Sequence, residues 1–396
     1  MSTISRNIRW LSEKATSHCY KRDPHLWVFG EWMGNRCCDN SLALANYVSD
    51  NHSHIKTVWV SKKTADLSQL SPAVTRVEMN TPEAMEVLKH AGVAVMNQGL
   101  VDFGVDGTFL CSGAVNVQLW HGAPWKKIAL DACGSLTGIR GAYCRYIQRL
   151  NRADMYLALS DEFARIMQSA FYAPKKDIIL AGYPRNAIFY DASRVQAARE
   201  KVIRLLGLDA QNTGDLKLIA YMPTFRDNTD HVFSFEDLAD NKELNAILEK
   251  HNAIIVQKAH FVSYQRNSSA NEVESHRIWA LNDIMAQELL AAADMLITDY
   301  SSCFFDYLVL DRPIVHYIYD YQYYAGEDRG VYYKAEDVVC GDAPETVEQL
   351  LAALDANLGD PDLRKNLRKE RFAKYMTYES ADSCEIIYQQ IQARLK

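Results

Sequence analysis

Two series of short apolar runs, each alternating with stretches of helical periodicity, constrain the fold of this chain more than any other feature. The first series is LWVFG at 26–30, TVWV at 57–60, VAVMN at 93–97, VNVQLW at 115–120, MYLALS at 155–160 and DIILAG at 177–182. A second begins after Pro184, with LKLIAYMP at 216–223, AIIVQK at 253–258, RIWA at 277–280, DMLITD at 294–299 and PIVHYI at 313–318. Short runs rich in β-branched and aromatic side chains read as strands, and helices between successive strands imply parallel pairing through crossovers. Apolar spacing of three and four residues predicts helices at Asp161–Phe171, Asp191–Leu206, Asp283–Ala293 and Pro344–Asn357. Two doubly wound α/β units are implied. Residues 343–396 contain no strand candidate and are expected to be helical. The expected domains are 1–186, 187–375 and a C-terminal helix, 376–396, packing back on the first.

Composition narrows the function classes. At 396 residues, 48% hydrophobic and 23% charged, the chain is long enough for two cores. A formal charge of -7 argues against a nucleic-acid partner. The nine cysteines are scattered without a Cys-x-x-Cys pair, the pattern of reduced thiols in a cytoplasm and not of a zinc site or disulfide frame. No apolar run approaches the length of a signal peptide core or a spanning helix, so a cytoplasmic protein is expected and any membrane contact is peripheral.

In open α/β sheets, ligands bind beyond the carboxyl ends of the strands, where loops and helix N-termini expose backbone N–H groups. Four such places carry candidate chemistry. GEWMGNRCCDNS at 30–41 holds Gly30, Trp32 and Gly34, with Asp39, Asn40 or Ser41 placed to cap the next helix. Its spacing is not that of a dinucleotide loop, and an ordinary turn and an acceptor-binding loop fit it equally. QLWHGAPWKK at 118–127 ends a strand in His121 and Gly122. An imidazole there can take a proton from an attacking hydroxyl near neutral pH. Lys126 and Lys127 read either as phosphate partners or as a solvated pair.

The third place combines YMPTFRD at 221–227 with QKAHFVSY at 257–264, offering Thr224, Arg226, Lys258 and His260 as hydroxyl and cationic partners for phosphate oxygens. The fourth, ITDYSSCFFDYLVLDRP at 297–313, runs from a strand into Asp299, Ser301 and Ser302 and then a short apolar helix. Hydroxyls and N–H groups converge there where a phosphate could sit. Asp306, four residues after Ser302, shares its helical face and would reach ribose hydroxyls. Simple helix capping by Asp299 or Ser301 is the alternative.

Taken in order, FGEWMGNRCCDNS, QLWHGAPWKK, GYPRNAIF at 182–189, YMPTFRD and ITDYSSCFFDYLVLDRPIVHYIYD resemble the CDP-glycerol glycerophosphotransferase family, which includes teichoic acid primases and polymerases. Asp328-Arg329-Gly330 also follows its pattern. The sequence departs from it at Ala123, Trp125 and Phe225, and in reading KAHF around His260.

The resemblance implies a GT-B-like architecture, two Rossmann-like domains facing a central cleft, with the acceptor on the N-terminal side and the CDP-polyol on the C-terminal side. It implies that His121 is the base and that His260, Thr224, Arg226, Asp299, Ser301, Ser302 and Asp306 surround the donor's nucleotide and pyrophosphate. The expected reaction moves glycerol phosphate or ribitol phosphate from CDP-glycerol or CDP-ribitol to a hydroxyl of a lipid-linked or polymeric glycan, releasing CMP. His260 is a second catalytic candidate, Lys258 a donor-side cation, and Gly30, Trp32, Gly34, Asp39, Gly122 and Lys126 form the acceptor side. With no Asp-x-Asp at a strand end, no metal or other cofactor is expected. The alternative within the fold is a glycosyltransferase using a nucleotide sugar, and a catalytically silent nucleotide-binding or scaffold protein is the alternative outside enzymes.

A lipid-linked acceptor requires membrane attachment. Between Trp125 and Arg152, six basic residues (Lys126, Lys127, Arg140, Arg145, Arg149 and Arg152) face one acid, Asp131. Ile4, Ile8, Leu11 and Ala15 form an apolar stripe beside Arg6, Arg9 and Lys14. Either segment suits an anionic membrane surface, and either also fits an ordinary solvated helix.

Overall fold

The computed structural model describes residues 15–104, 110–133, 138–209, 213–224, 233–258, 277–321 and 330–395. Arg226, His260, Asp328, Arg329, Phe225 and the N-terminal stripe through Lys14 lie outside the described residues. The chain forms two compact units: Met1–Gly122 with Ala129–Ala187 and Thr377–Lys396, and Ala123–Ile128 with Ile188–Met376.

The first unit holds seven parallel strands: β1 Asp23–Gly30, β2 Lys56–Ser61, β3 Thr75–Glu78, β4 Ala91–Met96, β5 Val115–Gln118, β6 Met155–Ala158 and β7 Ile178–Leu180, in the order β3-β2-β1-β4-β5-β6-β7. Leu26 to Gly30 and all of β4 are buried, as continuous apolar runs in a sheet covered on both faces must be. The sequence pattern misses only β3, an edge strand that pairs with β2 alone and buries only Val77, so it carries no apolar run.

Helices α1 Asn40–Asn51, α2 Pro82–His90, α3 Gly138–Leu150 and α4 Asp161–Ala170 serve this unit. Side chains at the N-caps define three of their starts: Asp39 accepts from Asn40 N, Thr81 from Ala84 N, and Ser160 from Phe163 N.

The second unit contains α5 Ala192–Leu205, β8 Lys217–Tyr221, α6 Lys242–Lys250, β9 Ala253–Gln257, β10 Ile278–Ala280, α7 Ala286–Ala292, β11 Met295–Thr298, α8 Cys303–Tyr307, β12 Ile314–His316, α9 Ala335–Val338, α10 Val347–Gly359 and α11 Lys365–Tyr375. Its five strands are parallel, in the order β10-β9-β8-β11-β12. Counted from its own first strand this order is 3-2-1-4-5, the Rossmann arrangement. Ile219, Ile255, Ile297 and Val315 from four neighbouring strands meet Leu244, Leu248, Leu350 and Leu354 from α6 and α10 in the core. Two helices start later than their periodicity suggests, α7 where Glu288 returns to Met285 N and α10 where Thr346 accepts from Gln349 N.

The last helix, α12 Ser383–Leu395, belongs to the first unit, where it packs on α1 and β5. Tyr47 donates its hydroxyl to Glu385 at 2.6 Å, and Glu379 accepts from Tyr183 N and Asn186 Nδ2 at 3.1 and 3.0 Å. Glycine at 182 lets the chain lie close to these side chains, since a Cβ there would come 2.4 Å from Glu379 Oε1 and 2.5 Å from Ser383 Oγ and force them to shift.

Candidate active site

Each sheet reverses its strand order once, between β1 and β4 in the first unit and between β8 and β11 in the second. The carboxyl ends of those strands are where such folds bind ligands, and the candidate residues cluster at them.

In the first unit, β1 ends at Gly30, against which Phe103 packs so closely that a Cβ would meet its ring at 2.9 Å. Glu31 follows, fully buried, accepting from Cys38 N, from Asp39 N at 3.0 Å and from Asn97 Nδ2 at 3.4 Å. Burial, reinforced by the nearby Asp39 charge, holds the Glu31 carboxyl well above its ordinary range. The chain then passes through three consecutive left-handed residues, Trp32, Met33 and Gly34. Gln98 Oε1 accepts from Trp32 N at 2.8 Å, and the buried Asp102 accepts from Met33, Asn97 and Gln98 N–H groups at 2.8 to 2.9 Å. Burial raises Asp102 from 3.8 to about 6, against those three hydrogen bonds, which pull the other way.

His121 lies just beyond β5. Its ring centroid is 4.2 Å from that of Trp120 and 5.6 Å from that of Trp32. Trp120 is left-handed (φ 60°), and its carbonyl accepts from Asn40 Nδ2 at 3.1 Å. Arg185 Nη1 bonds both the His121 carbonyl, at 3.0 Å, and Asp39 Oδ1, at 2.7 Å, in an ion pair whose two side chains are 8% and 7% exposed. Asp39, the helix cap, is thus also the anchor of the arginine that fixes the His121 backbone. Gly122 is buried and ends this part of the unit.

In the second unit the knot is Asp299. Its Oδ1 accepts from Thr224 N at 2.8 Å, Thr224 Oγ1 at 2.6 Å, Tyr300 N at 2.5 Å and Ser301 N at 3.2 Å. Thr298, one residue earlier, donates its hydroxyl to Met222 O at 2.7 Å, so the ends of β8 and β11 are tied twice. Ser301 and Ser302 are half-buried. The helix they precede, α8, has only five residues, and Ser302 makes no side-chain cap. So short a helix offers little dipole to an anion.

Asp306 differs from expectation. It is 1% exposed and its carboxylate meets Gln287 Nε2 at 3.2 Å, because the helical turn that aligns it with Ser302 also carries it into the interior. Lys258 follows β9, with Nζ on the Asn282 carbonyl at 2.6 Å. Lys126 lies in the second unit, bridged to Val331, and Lys127 N donates to Gly330 O at 3.0 Å.

Sequence reasoning gave no role to four other residues. Trp125, 2% exposed, stands edge-on to Tyr300 at 5.5 Å and to Phe304 at 6.0 Å, with Nε1 on Tyr333 O at 2.9 Å. His316 is buried between the Asp299 carbonyl, 3.3 Å from Nδ1, and Cys340 Sγ, 3.2 Å from Nε2. Burial lowers its imidazole to about 4. Arg185 and Asp102 complete the set. Asp102 follows β4, so a search beyond every strand end would reach it, whereas the burial of His316 and Trp125 has no local sequence signal. Among the described residues no group of three or more His, Cys, Asp or Glu side chains is arranged to hold a metal.

Two Rossmann-like units, each with polar groups gathered at its switch point, define a GT-B-like α/β protein. The solved structure of the wall teichoic acid polymerase TagF has this fold, with a TM-score of 0.78 over 99% of this chain and 97% of that one at 21% identity. The sequence profile of the CDP-Glycerol:Poly(glycerophosphate) glycerophosphotransferases matches residues 13–393, and the chain belongs to that family. It is 32% identical over 345 residues to a teichoic acid poly(glycerol phosphate) polymerase of Bacillus spizizenii, covering 84% of each chain. Against the polymerase of the same description from Bacillus subtilis the identity is 25%, over 85% of this chain and 44% of the relative. The protein is therefore a transferase of the CDP-glycerol glycerophosphotransferase type.

Proposed function

We propose that His121 is the general base of this transfer and that Thr224, Ser301, Ser302 and Lys258, with Arg226 and His260, receive the CDP-polyol. The acceptor is a hydroxyl on a lipid-linked or polymeric glycan. Its proton passes to the imidazole as its oxygen attacks the polyol-side phosphorus. The bond from that phosphorus to the CMP oxygen breaks, CMP leaves with the electron pair, and the imidazolium returns its proton to solvent. Positioning and charge stabilisation supply the acceleration.

The observation that supports this reading best is the Thr224–Asp299 knot at the β8/β11 switch point. It fixes a hydroxyl-rich turn where the donor phosphates of such a fold bind. Asp306 is left out of the donor contacts because of its burial. Incubation of the protein with a defined lipid-linked acceptor and either CDP-glycerol or CDP-ribitol, followed by mass analysis, tests the reading. Addition of polyol phosphate units with matching CMP release is expected, and CMP release without acceptor modification would refute the acceptor assignment.

Membrane contact is part of the same proposal. Among the described residues no helix is long and apolar enough to cross a membrane. The support for surface binding is α3, where Ile139, Tyr143 and Tyr146, one stripe of the helix, are 90%, 63% and 60% exposed. The basic side is smaller than the sequence suggests. Arg152 lies past the end of α3 and faces Asp177 at 3.8 Å, leaving Arg140, Arg145 and Arg149 in the helix.

A further inference from the structure

Two tryptophans adopt left-handed backbone conformations in the described residues, Trp32 (φ 49°) and Trp120 (φ 60°), and both place their rings against His121. Left-handed φ is unfavourable for a bulky residue and persists only where the surroundings over-determine it. That condition is met twice. Trp32 N is held by Gln98 Oε1 and Met33 N by the buried Asp102, while the Trp120 carbonyl is held by Asn40 and its ring edge by Phe171 at 5.1 Å. Two separate strand ends thus carry strain whose shared result is two indole rings against one imidazole.

We propose that Trp120 and Trp32 are positioning residues that clamp the His121 ring and stabilise the imidazolium formed when it takes the acceptor proton. A tryptophan face attracts a cation through its quadrupole, more strongly when water is excluded. The charge on His121 exists only after proton abstraction, so the attraction favours the transition state over the resting enzyme. The ionisable groups around this arrangement are Arg185 and Asp39, paired with one another beside the His121 carbonyl, and Glu31 and Asp102, buried behind the Trp32 turn. Arg185 opposes the imidazolium and Asp39 offsets it, and the two indole rings lie against the imidazole itself.

This inference rests on the reading of His121 as base, so its test has two independent readouts. The first is direct titration of the His121 imidazole by NMR in Trp120→Leu, Trp120→Phe and Trp32→Leu, each checked for folding by thermal unfolding. Loss of an indole is expected to move the titration midpoint to lower pH by roughly half a unit to one unit, with Phe recovering part of the shift. The second is the pH profile of polyol transfer, where Trp120→Leu should lower turnover by roughly three- to tenfold with donor and acceptor KM little changed. An unshifted His121 midpoint in both leucine variants overturns the clamp. A rise confined to acceptor KM, with the midpoint unmoved, also overturns it and makes the indoles substrate contacts. A shifted midpoint together with an active His121→Ala enzyme leaves the clamp standing and refutes the base assignment instead.

Discussion

Asp299 accepts both the backbone N–H and the hydroxyl of Thr224, at 2.8 and 2.6 Å, through the same carboxylate oxygen that receives Tyr300 N and Ser301 N. Thr224→Val keeps the backbone bond and the side-chain shape but removes the hydroxyl. It should lower stability by about 1 kcal/mol, the net worth of one such bond. If the Thr224 oxygen also meets donor phosphate, KM for CDP-glycerol rises by roughly three- to tenfold with acceptor KM unchanged. Steady-state kinetics beside a urea unfolding curve separates the two effects, and a stability loss with unaltered donor KM would restrict Thr224 to a structural role.

The strands and their ends were legible in the sequence, while the way the ends are wired together was not. Continuous apolar runs disclosed β1 and β4 because buried parallel strands exclude polar residues, and the exposed edge strand β3 gave no such signal. Asp299 and Thr224 were both visible as strand-end residues, but their bond spans 75 positions and depends on β8 lying beside β11. Asp306 shows the limit of periodicity. Its helical register with Ser302 was readable, yet periodicity alone does not say which side of a five-residue helix faces the core.

Acid should act in opposite directions on the two units. His316 is neutral and buried in the fold, with its pKa lowered to about 4, whereas the unfolded chain protonates it near 6.5. Its contribution is therefore intact above about pH 6.5 and is lost as pH falls toward 4, by up to about 3 kcal/mol. Burial raises Asp102 from 3.8 to about 6, so between those values the native state binds more protons and is favoured as pH falls. The upward displacement of Glu31, also caused first by burial, acts in the same sense. Hydrogen exchange at pH 6.5 and 4.5, corrected for intrinsic rates, should show protection falling around β11 and β12 before it falls around β1 and β4. Equal losses in both units, or an unchanged loss in His316→Asn, would contradict this assignment.

Arg185 sits where removing one side chain unpairs two partners. Arg185→Ala leaves Asp39 with a buried charge and frees the His121 carbonyl, and truncating one member of a buried pair costs about 3–5 kcal/mol. Both contacts leave Nη1, and lysine, whose side chain is one bond shorter, does not carry its ammonium to that point, so Arg185→Lys should recover stability better than turnover. Thermal unfolding and transfer rates on the two variants check this. A lysine variant with full activity would show that the guanidinium's second contact, to His121, is dispensable.

The exposed stripe on α3 separates an interfacial helix from an ordinary solvated one. Ile139, Tyr143 and Tyr146 together present apolar area that water leaves unburied, and each would gain roughly 1–2 kcal/mol on entering a lipid interface. Arg145 and Arg149 add attraction to anionic headgroups, about 1 kcal/mol each near the surface and weakened by salt. Ile139→Ser with Tyr143→Ser and Tyr146→Ser should therefore reduce sedimentation with anionic vesicles by at least about tenfold at any ionic strength. Arg145→Gln with Arg149→Gln should instead weaken binding mainly at low salt. Because Ile139, Tyr143 and Tyr146 are exposed, the apolar set should change stability by no more than about 0.5 kcal/mol. Binding that is insensitive to the apolar substitutions would move the membrane contact to another part of the chain, and binding insensitive to both sets would make α3 an ordinary solvated helix.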